Sequence, residues 1–387
     1  MEILARRFDT GAPVRVALAE GCIARMEAIP EVECPKSFPW IAPGLIDLQV
    51  NGYGGQEFSS DDLTVERVAG IVAAMDAFGV TQFCPTITTQ SASCMMHALA
   101  TLHRACKEMP RLARRMPGFH VEGPYLTAQE GARGAHPLKH VRPPDFDEFQ
   151  RFQEAAGGRI RILTMSVEYE GSVDFVRRVS ATGVVVSIGH TAATPEQIVA
   201  AVDAGARMAT HLGNGSHVTQ HRHRSYVWPQ LADDRLTAGL ICDGFHLPPY
   251  VVKVFVRAMG VDRCVLVSDL SGLAGLPPGR YQTNLCDLEI LDSGMLVIAG
   301  QREALAGAGL PIGVGVANVM DFAGMTLAEA IAMATVNPAR VLKLRPPRLE
   351  AGEPADLVLF DLDGGFRVRG VFVAGEPLDL GVQSDSS

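Results

Sequence analysis

Long apolar runs, paired cysteines, clustered aromatics and an excess of basic charge are all missing from this chain of 387 residues. Each absence removes a class of function. No segment approaches the roughly 18 unbroken apolar residues of a membrane-spanning helix. The most apolar stretch, Leu310 to Ala323, is interrupted by Pro311, Asn318 and Asp321. The opening residues, MEILARRFDTG, lack the charged-then-apolar pattern of a secretory signal. The 8 cysteines contain no C-x-x-C pair, and several sit in apolar runs where a thiol acts as a small buried hydrophobe. Reduced thiols in a cytoplasmic protein are expected, not a disulfide framework. The 34 Lys and Arg are outnumbered by 43 Asp and Glu, giving a net charge of −9. That argues against nucleic-acid binding, which draws its affinity largely from neutralised phosphates. Trp40 and Trp228 are isolated, and the NGYGG cluster is not a dinucleotide fingerprint.

What the chain does contain is a globular composition, 47% hydrophobic and 20% charged, with enough length for a sizeable core. Short β-branched runs alternate with longer amphipathic stretches. Eight candidate strands are Gly44–Val50, Thr81–Cys84, Gly118–Glu122, Arg161–Val167, Gly183–Gly189, Arg207–His211, Thr237–Cys242 and Arg263–Asp269. Helix-like segments lie between them, such as Thr64–Phe78, with Asp61 as N-cap and Gly79 as stop, and Thr194–Ala204, ending at Gly205. This alternation predicts parallel strands with helices outside, and eight units in roughly 250–300 residues predict a (β/α)8 barrel. The helix-rich stretch Ala317–Leu344 is expected to pack against it. Residues 1–43 and 345–387 read differently, as short strands between Gly, Pro and Asp turns. Neither end is long enough to fold alone, so the two are expected to form one small β-sandwich domain around a 44–344 barrel.

Several polar residues close these strands, where barrel enzymes place their chemistry. In HVEG, alternation puts His120 and Glu122 on one side of the strand. A carboxylate ending an apolar strand is costly to bury unless it is paired or bound to a metal. The fifth strand leads to His190, the sixth to His211 and the eighth to Asp269. Singly, each is an ordinary core residue; together at successive barrel mouths, two imidazoles and a carboxylate suit zinc or a similar divalent cation.

The motifs that carry this pattern run in order along the chain: PGLIDLQVNGYGG, CPTITT, GFHVEGPYL, RGAHPL, SIGHT, ATHLGN, CDGFHLPP, LVSDLSGLAGLPPG, LAGAGL, TVNPAR and GEPADLVLFD. In these the chain resembles the N-acetylglucosamine-6-phosphate deacetylase family of the amidohydrolase superfamily. The resemblance implies a distorted (β/α)8 TIM-like barrel and a β-domain built from both termini. It implies metal ligands Glu122, His190 and His211, Asp269 as acid and base, and His136 as a hydrogen-bond donor to the reacting carbonyl. Gln49 and Asn51 stand where many amidohydrolases carry His-x-His, and the fourth strand has no lysine to bridge two metals. One divalent ion is therefore expected, zinc first, with iron, nickel, cobalt and manganese as alternatives.

By resemblance, Ala135, Asn214, Gly215, His246 and the segment Leu305, Ala306, Gly307 would line a sugar pocket. The phosphate would need a cation. Arg222 is favoured by spacing, with Arg224 as competitor, in the basic run His217, His221, Arg222, His223, Arg224. The implied reaction is hydrolysis of an N-acetylhexosamine 6-phosphate, most simply the glucosamine form, to the amino sugar phosphate and acetate. The implied partner state is a homodimer. Two alternatives stand beside it: an amidohydrolase acting on an unphosphorylated N-acetylated sugar or N-acyl amide, and a silent sugar-phosphate sensor.

Overall fold

The computed structural model of the chain describes residues 1–31 and 38–380; Cys34 and the polar tail Gln383–Ser387 lie outside them. All eight expected barrel strands form, as β1 (Leu45–Val50), β2 (Val80–Thr88), β3 (Phe119–Glu122), β4 (Ile160–Met165), β5 (Val185–Ile188), β6 (Met208–Ala209), β7 (Thr237–Leu240) and β8 (Cys264–Leu266). They pair in parallel, each with the next in sequence, in one eight-stranded sheet. Just past β8, the chain meets β1 again: Asp269 N–H donates to Gln49 O at 3.0 Å and Asn51 N–H to Leu270 O at 2.8 Å. The last contact of the barrel thus runs through the residue predicted to be its base.

Helices cover the outside through an apolar layer that includes Val68, Ile71, Leu99, Phe149, Val176, Ile198 and Val252. The first of them spans Val65–Ala74 and is capped by Thr64, whose side chain accepts from Arg67 N–H. Asp61 is not the cap: Thr64 directly precedes the first helical residue, which is where a side-chain oxygen reaches the free N–H groups. A 3₁₀ turn, Met75–Phe78, follows and ends at Gly79 in the left-handed region. The helix Pro195–Ala204 has Thr194 and Gln197 in a reciprocal capping box and stops at Gly205.

Inside the barrel, Ile46, Leu48, Cys84, Ile162, Met208, Ile241 and Val265 pack together with Ala339 and Leu342 from the last helical stretch. That stretch lies under the N-terminal ends of the strands, as Ile46 N–H donating to Ala334 O at 2.8 Å shows. Above this apolar floor is a polar layer. His120 Nδ1 donates to Leu48 O at 3.0 Å and its Nε2 meets Thr164 Oγ1 at 2.7 Å; Thr164 in turn meets Thr210 Oγ1 at 2.6 Å. His120 is therefore a satisfied core histidine, pushed down to about 4 chiefly by burial.

The terminal segments join in one seven-stranded sheet. Its strand Trp40–Pro43 lies between Glu2–Arg7 from the start of the chain and Leu357–Asp361 from the end. Ile3, Val16, Ile23, Ile41, Leu357 and Phe372 form its own small core. A further four-stranded antiparallel sheet, Gly279–Leu305, interrupts the chain after Asp269 and leans over the barrel mouth.

Candidate active site

The strand ends carry the predicted groups to one point. Glu122 ends β3 and is only 3% exposed. Its Oε1 lies 3.0 Å from His211 Nε2 and 3.2 Å from His190 Nε2, and the two imidazole nitrogens are 3.1 Å apart. His190 Nδ1 donates to Ala132 O at 2.9 Å, which fixes the proton there and leaves Nε2 with its lone pair. That lone pair faces a carboxylate and a second imidazole. The arrangement is repulsive unless a proton or a cation sits between the three. Ligand atoms about 2.1 Å from a tetrahedral centre lie roughly 3.4 Å apart, close to these edges. The triangle therefore fits a divalent cation.

The protonation pattern agrees. Burial would push the Glu122 carboxyl up, but the neighbouring His190 and His211 outweigh it and hold the group well below the usual range. For His211, burial is likewise opposed by the Glu122 hydrogen bond and charge, which raise it. His136 also joins the cluster. It is buried, its Nε2 is 3.2 Å from His190 Nε2, and it shares a 4.8 Å ligand sphere with Glu122 and His190. Burial, with the charge of His190, pushes it down to about 3, so it is neutral. Its Nδ1, like that of His211, is buried without a partner.

Asp269 faces the triangle from the far wall. Gln49 Nε2 donates to its Oδ1 at 3.0 Å and Asn51 Nδ2 to the same oxygen at 2.7 Å. Gln49 also reaches Glu122 Oε2 at 3.1 Å, so one amide bridges Asp269 and Glu122. Both donors use Oδ1, which leaves Oδ2 free of them. Burial and the nearby negative charge of Glu122 push Asp269 up to about 6. His190, His211 and Asp269 all take left-handed backbone, with φ of 47°, 29° and 54°. Such conformations cost non-glycine residues about 1–2 kcal/mol each, and at a site they reflect constraint by function.

A cavity of about 290 Å³ opens above these groups and is lined by Ala135, His136, Asn214, Gly215, His246 and Leu305 to Gly307, all expected from the sequence. Gly215 is required where it stands: a Cβ there would lie 2.7 Å from the His190 ring. His246 is held by Asp243, whose Oδ2 is 2.7 Å from Nδ1 and whose Oδ1 accepts the N–H groups of Phe245 and His246.

The two arginines are not brought in. Neither Arg222 nor Arg224 lines the cavity, and among the described residues no Lys or Arg does. Within the 217–224 loop Val218 lines the cavity, while His217 is bonded to Tyr226 and Trp228 Nε1 donates to Arg222 O. Arg224 is also engaged, at 2.9 Å, by Glu196 from the first turn of the neighbouring helix. Sequence reasoning missed Asp243, although its spacing of three from His246 in CDGFH is a usable signal, and it missed Glu57, Ser59, Thr88 and Ser271 on the cavity wall.

The chain matches the Amidohydrolase family over residues 40–378. It is 32% identical over 370 residues to the N-acetylgalactosamine-6-phosphate deacetylase of Escherichia coli O157:H7, covering 94% of both chains. It is 32% identical over 352 residues to the N-acetylglucosamine-6-phosphate deacetylase of Bos taurus, covering 87% of this chain and 82% of that one. Its fold superposes with a TM-score of 0.85, at 28% identity, on a mutant of the Mycobacterium smegmatis N-acetyl-D-glucosamine-6-phosphate deacetylase in complex with N-acetyl-D-glucosamine-6-phosphate, covering 97% and 99%. The ligand triangle, the doubly anchored aspartate and these near full-length matches lead to one assignment: the chain belongs to the N-acetylglucosamine-6-phosphate deacetylase family of the amidohydrolase superfamily.

Proposed function

We propose that the protein hydrolyses the acetamide of an N-acetylhexosamine 6-phosphate, releasing acetate and the amino sugar phosphate. The observation that carries this is the convergence of Glu122, His190 and His211 opposite Asp269, at the floor of a sugar-sized cavity. Glu122, His190 and His211 would hold one divalent cation, which polarises a carbonyl and makes water a stronger acid. Zinc suits two imidazoles and a carboxylate. His211 is preferred to His136 as third ligand because it lies within 3.1 Å of both other groups.

Asp269 then acts twice. Its carboxylate takes a proton from the attacking water at Oδ2 and returns it to the sugar nitrogen as the C–N bond breaks; a pKa near 6 suits both transfers. Gln49 and Asn51 orient it. Neutral His136 donates to the acetamide oxygen as negative charge develops there. His246, fixed by Asp243, reaches the sugar with Nε2.

The missing arginine in the cavity wall favours a second reading, an N-acetylated sugar without phosphate. We hold to the phosphorylated substrate and propose a homodimer whose partner closes that end of the cavity, where Val218 lines the cavity and is 90% exposed. A cytoplasmic location accords with the free thiols, and no helix among the described residues is long and apolar enough to cross a membrane. Acetate release from N-acetylglucosamine, N-acetylgalactosamine and their 6-phosphates is the test. Turnover of neither phosphorylated sugar would overturn the proposal; turnover of only the free sugars would select the second reading.

A further inference from the structure

One acidic side chain on the cavity wall has no partner among the described residues. Glu57 belongs to a two-rung hairpin, Gly52–Tyr53 with Gln56–Glu57, that directly follows β1. It lines the same cavity as Glu122 and Asp269. The fold makes room for it: a Cβ on Gly272 would stand 2.0 Å from Glu57 Cγ. Gly272 lies three residues beyond Asp269, so the strand end that supplies the base also supplies this space. Among the described residues the Glu57 carboxylate meets no cation and no hydrogen-bond donor, and burial alone pushes it up to about 7. Glu57 is half-buried, and its carboxylate on the cavity wall is free to accept from a bound ligand.

The ligand's chemistry can be narrowed. Above about pH 7, where Glu57 is ionised, a phosphate dianion is excluded beside it by like charge, so it sits elsewhere in the cavity. An N-acetyl group is neutral and is engaged at the metal triangle. What remains is the ring's hydroxyls, which donate well to a carboxylate. Ser59 and Thr88 stand on the same wall. Ser59 Oγ accepts from both the backbone N–H and the hydroxyl of Thr88, at 2.8 and 2.9 Å, leaving its own proton to donate.

We propose that Glu57 accepts hydrogen bonds from the ring hydroxyls of the bound N-acetylhexosamine and selects among hexosamines by doing so, an inference that rests on the deacetylase reading above. Glu57 touches no reacting atom; its effect is on binding.

The experiment measures kcat and KM for wild type, Glu57→Gln, Glu57→Ala and Gly272→Ala. The substrates are N-acetylglucosamine 6-phosphate, N-acetylgalactosamine 6-phosphate, and the 3-deoxy and 4-deoxy forms of the first. Metal content is measured alongside. At about pH 8.5, where Glu57 is ionised, a hydrogen bond to this charged acceptor accounts for roughly 10- to 100-fold. Glu57→Ala should therefore raise KM at least tenfold with metal content unchanged. Gly272→Ala, which displaces the side chain without removing it, should move KM in the same direction. At least one deoxy substrate should lose about tenfold against wild type and less than about twofold against Glu57→Ala. Equal deoxy penalties in both proteins, or an unchanged KM, would overturn the role of Glu57 while wild-type turnover leaves the deacetylase reading standing. Absence of wild-type turnover on either hexosamine 6-phosphate would overturn both.

Discussion

Replacing Asn51 with leucine removes one donor from Asp269 while leaving the metal triangle alone. Asn51 Nδ2 touches only Asp269, at 2.7 Å from Oδ1, whereas Gln49 also holds Glu122. A hydrogen bond to a charged group is worth about 1.5–3 kcal/mol, and Asn51 is half-buried, so the lower end applies. At 1.36 kcal/mol per pH unit, that is a shift of about one unit. The donor stabilises the ionised form, so its loss raises the pKa from about 6 towards roughly 7. The carboxylate is the active form, so the acidic limb of kcat/KM should move up by the same amount. At pH 6.5 the variant should be slower by about threefold, and by pH 9 this effect should vanish. Acetate release followed from pH 5 to 9, with metal content measured in parallel, gives both limbs. A midpoint that moves by less than about 0.3 unit, or moves down, refutes the assignment of Asp269 as the base tuned by this bond.

Three other perturbations have expected outcomes. Asp269→Asn should lower kcat by about 10³-fold or more with metal still bound, since base and acid are lost together; retained turnover above a tenth of wild type would contradict it. The same change should stabilise the metal-free protein at pH 7.5 by up to about 3 kcal/mol, because a carboxyl near 6 when folded and about 3.9 when unfolded burdens the fold above pH 6. That gain should disappear below about pH 4, where both states are protonated, as thermal melts across pH would show. Prolonged chelation should abolish acetate release and divalent ions should restore it; loading should weaken as pH falls, because Glu122 raises the His211 imidazole and its proton competes with the metal. Finally, Arg224→Ala should leave KM for the phosphorylated sugar within about twofold, because its guanidinium is committed to Glu196 on an exposed surface where such a pair contributes little.

The barrel was legible because each strand is a short apolar run ending in a polar residue, and burying a polar end without purpose is costly. Glu122, His190, His211 and Asp269 all follow from that one rule. Strand alternation likewise places His120 inside, though its role in the polar layer depends on Leu48 O and Thr164, which no local pattern reveals. The inserted sheet at Gly279–Leu305 was hidden because its strands are short, with the first largely exposed, and bounded by ordinary turns. Glu57 was hidden for a different reason. GGQEF reads as a polar turn, and only Gly272, far along the chain, makes the room that turns it inward. The basic run at 217–224 is a different case: charge density indicates a cation-rich loop but not which way the loop faces.

The strand Trp40–Pro43 has further consequences for how the chain is made. Its neighbours come from opposite ends of the sequence, Arg6 and Arg7 on one side and Leu357 to Phe360 on the other. At 5–20 residues per second, the ribosome takes roughly 15 to 60 s to deliver the second neighbour after the first is in place. Throughout that interval the edge of Trp40–Pro43 is open, and the first barrel strand begins only two residues later. The terminal sheet is thus the last clasp to close in synthesis. A ribosome-bound chain lacking Leu357–Val373 would carry a barrel whose entry strand is anchored on one side alone.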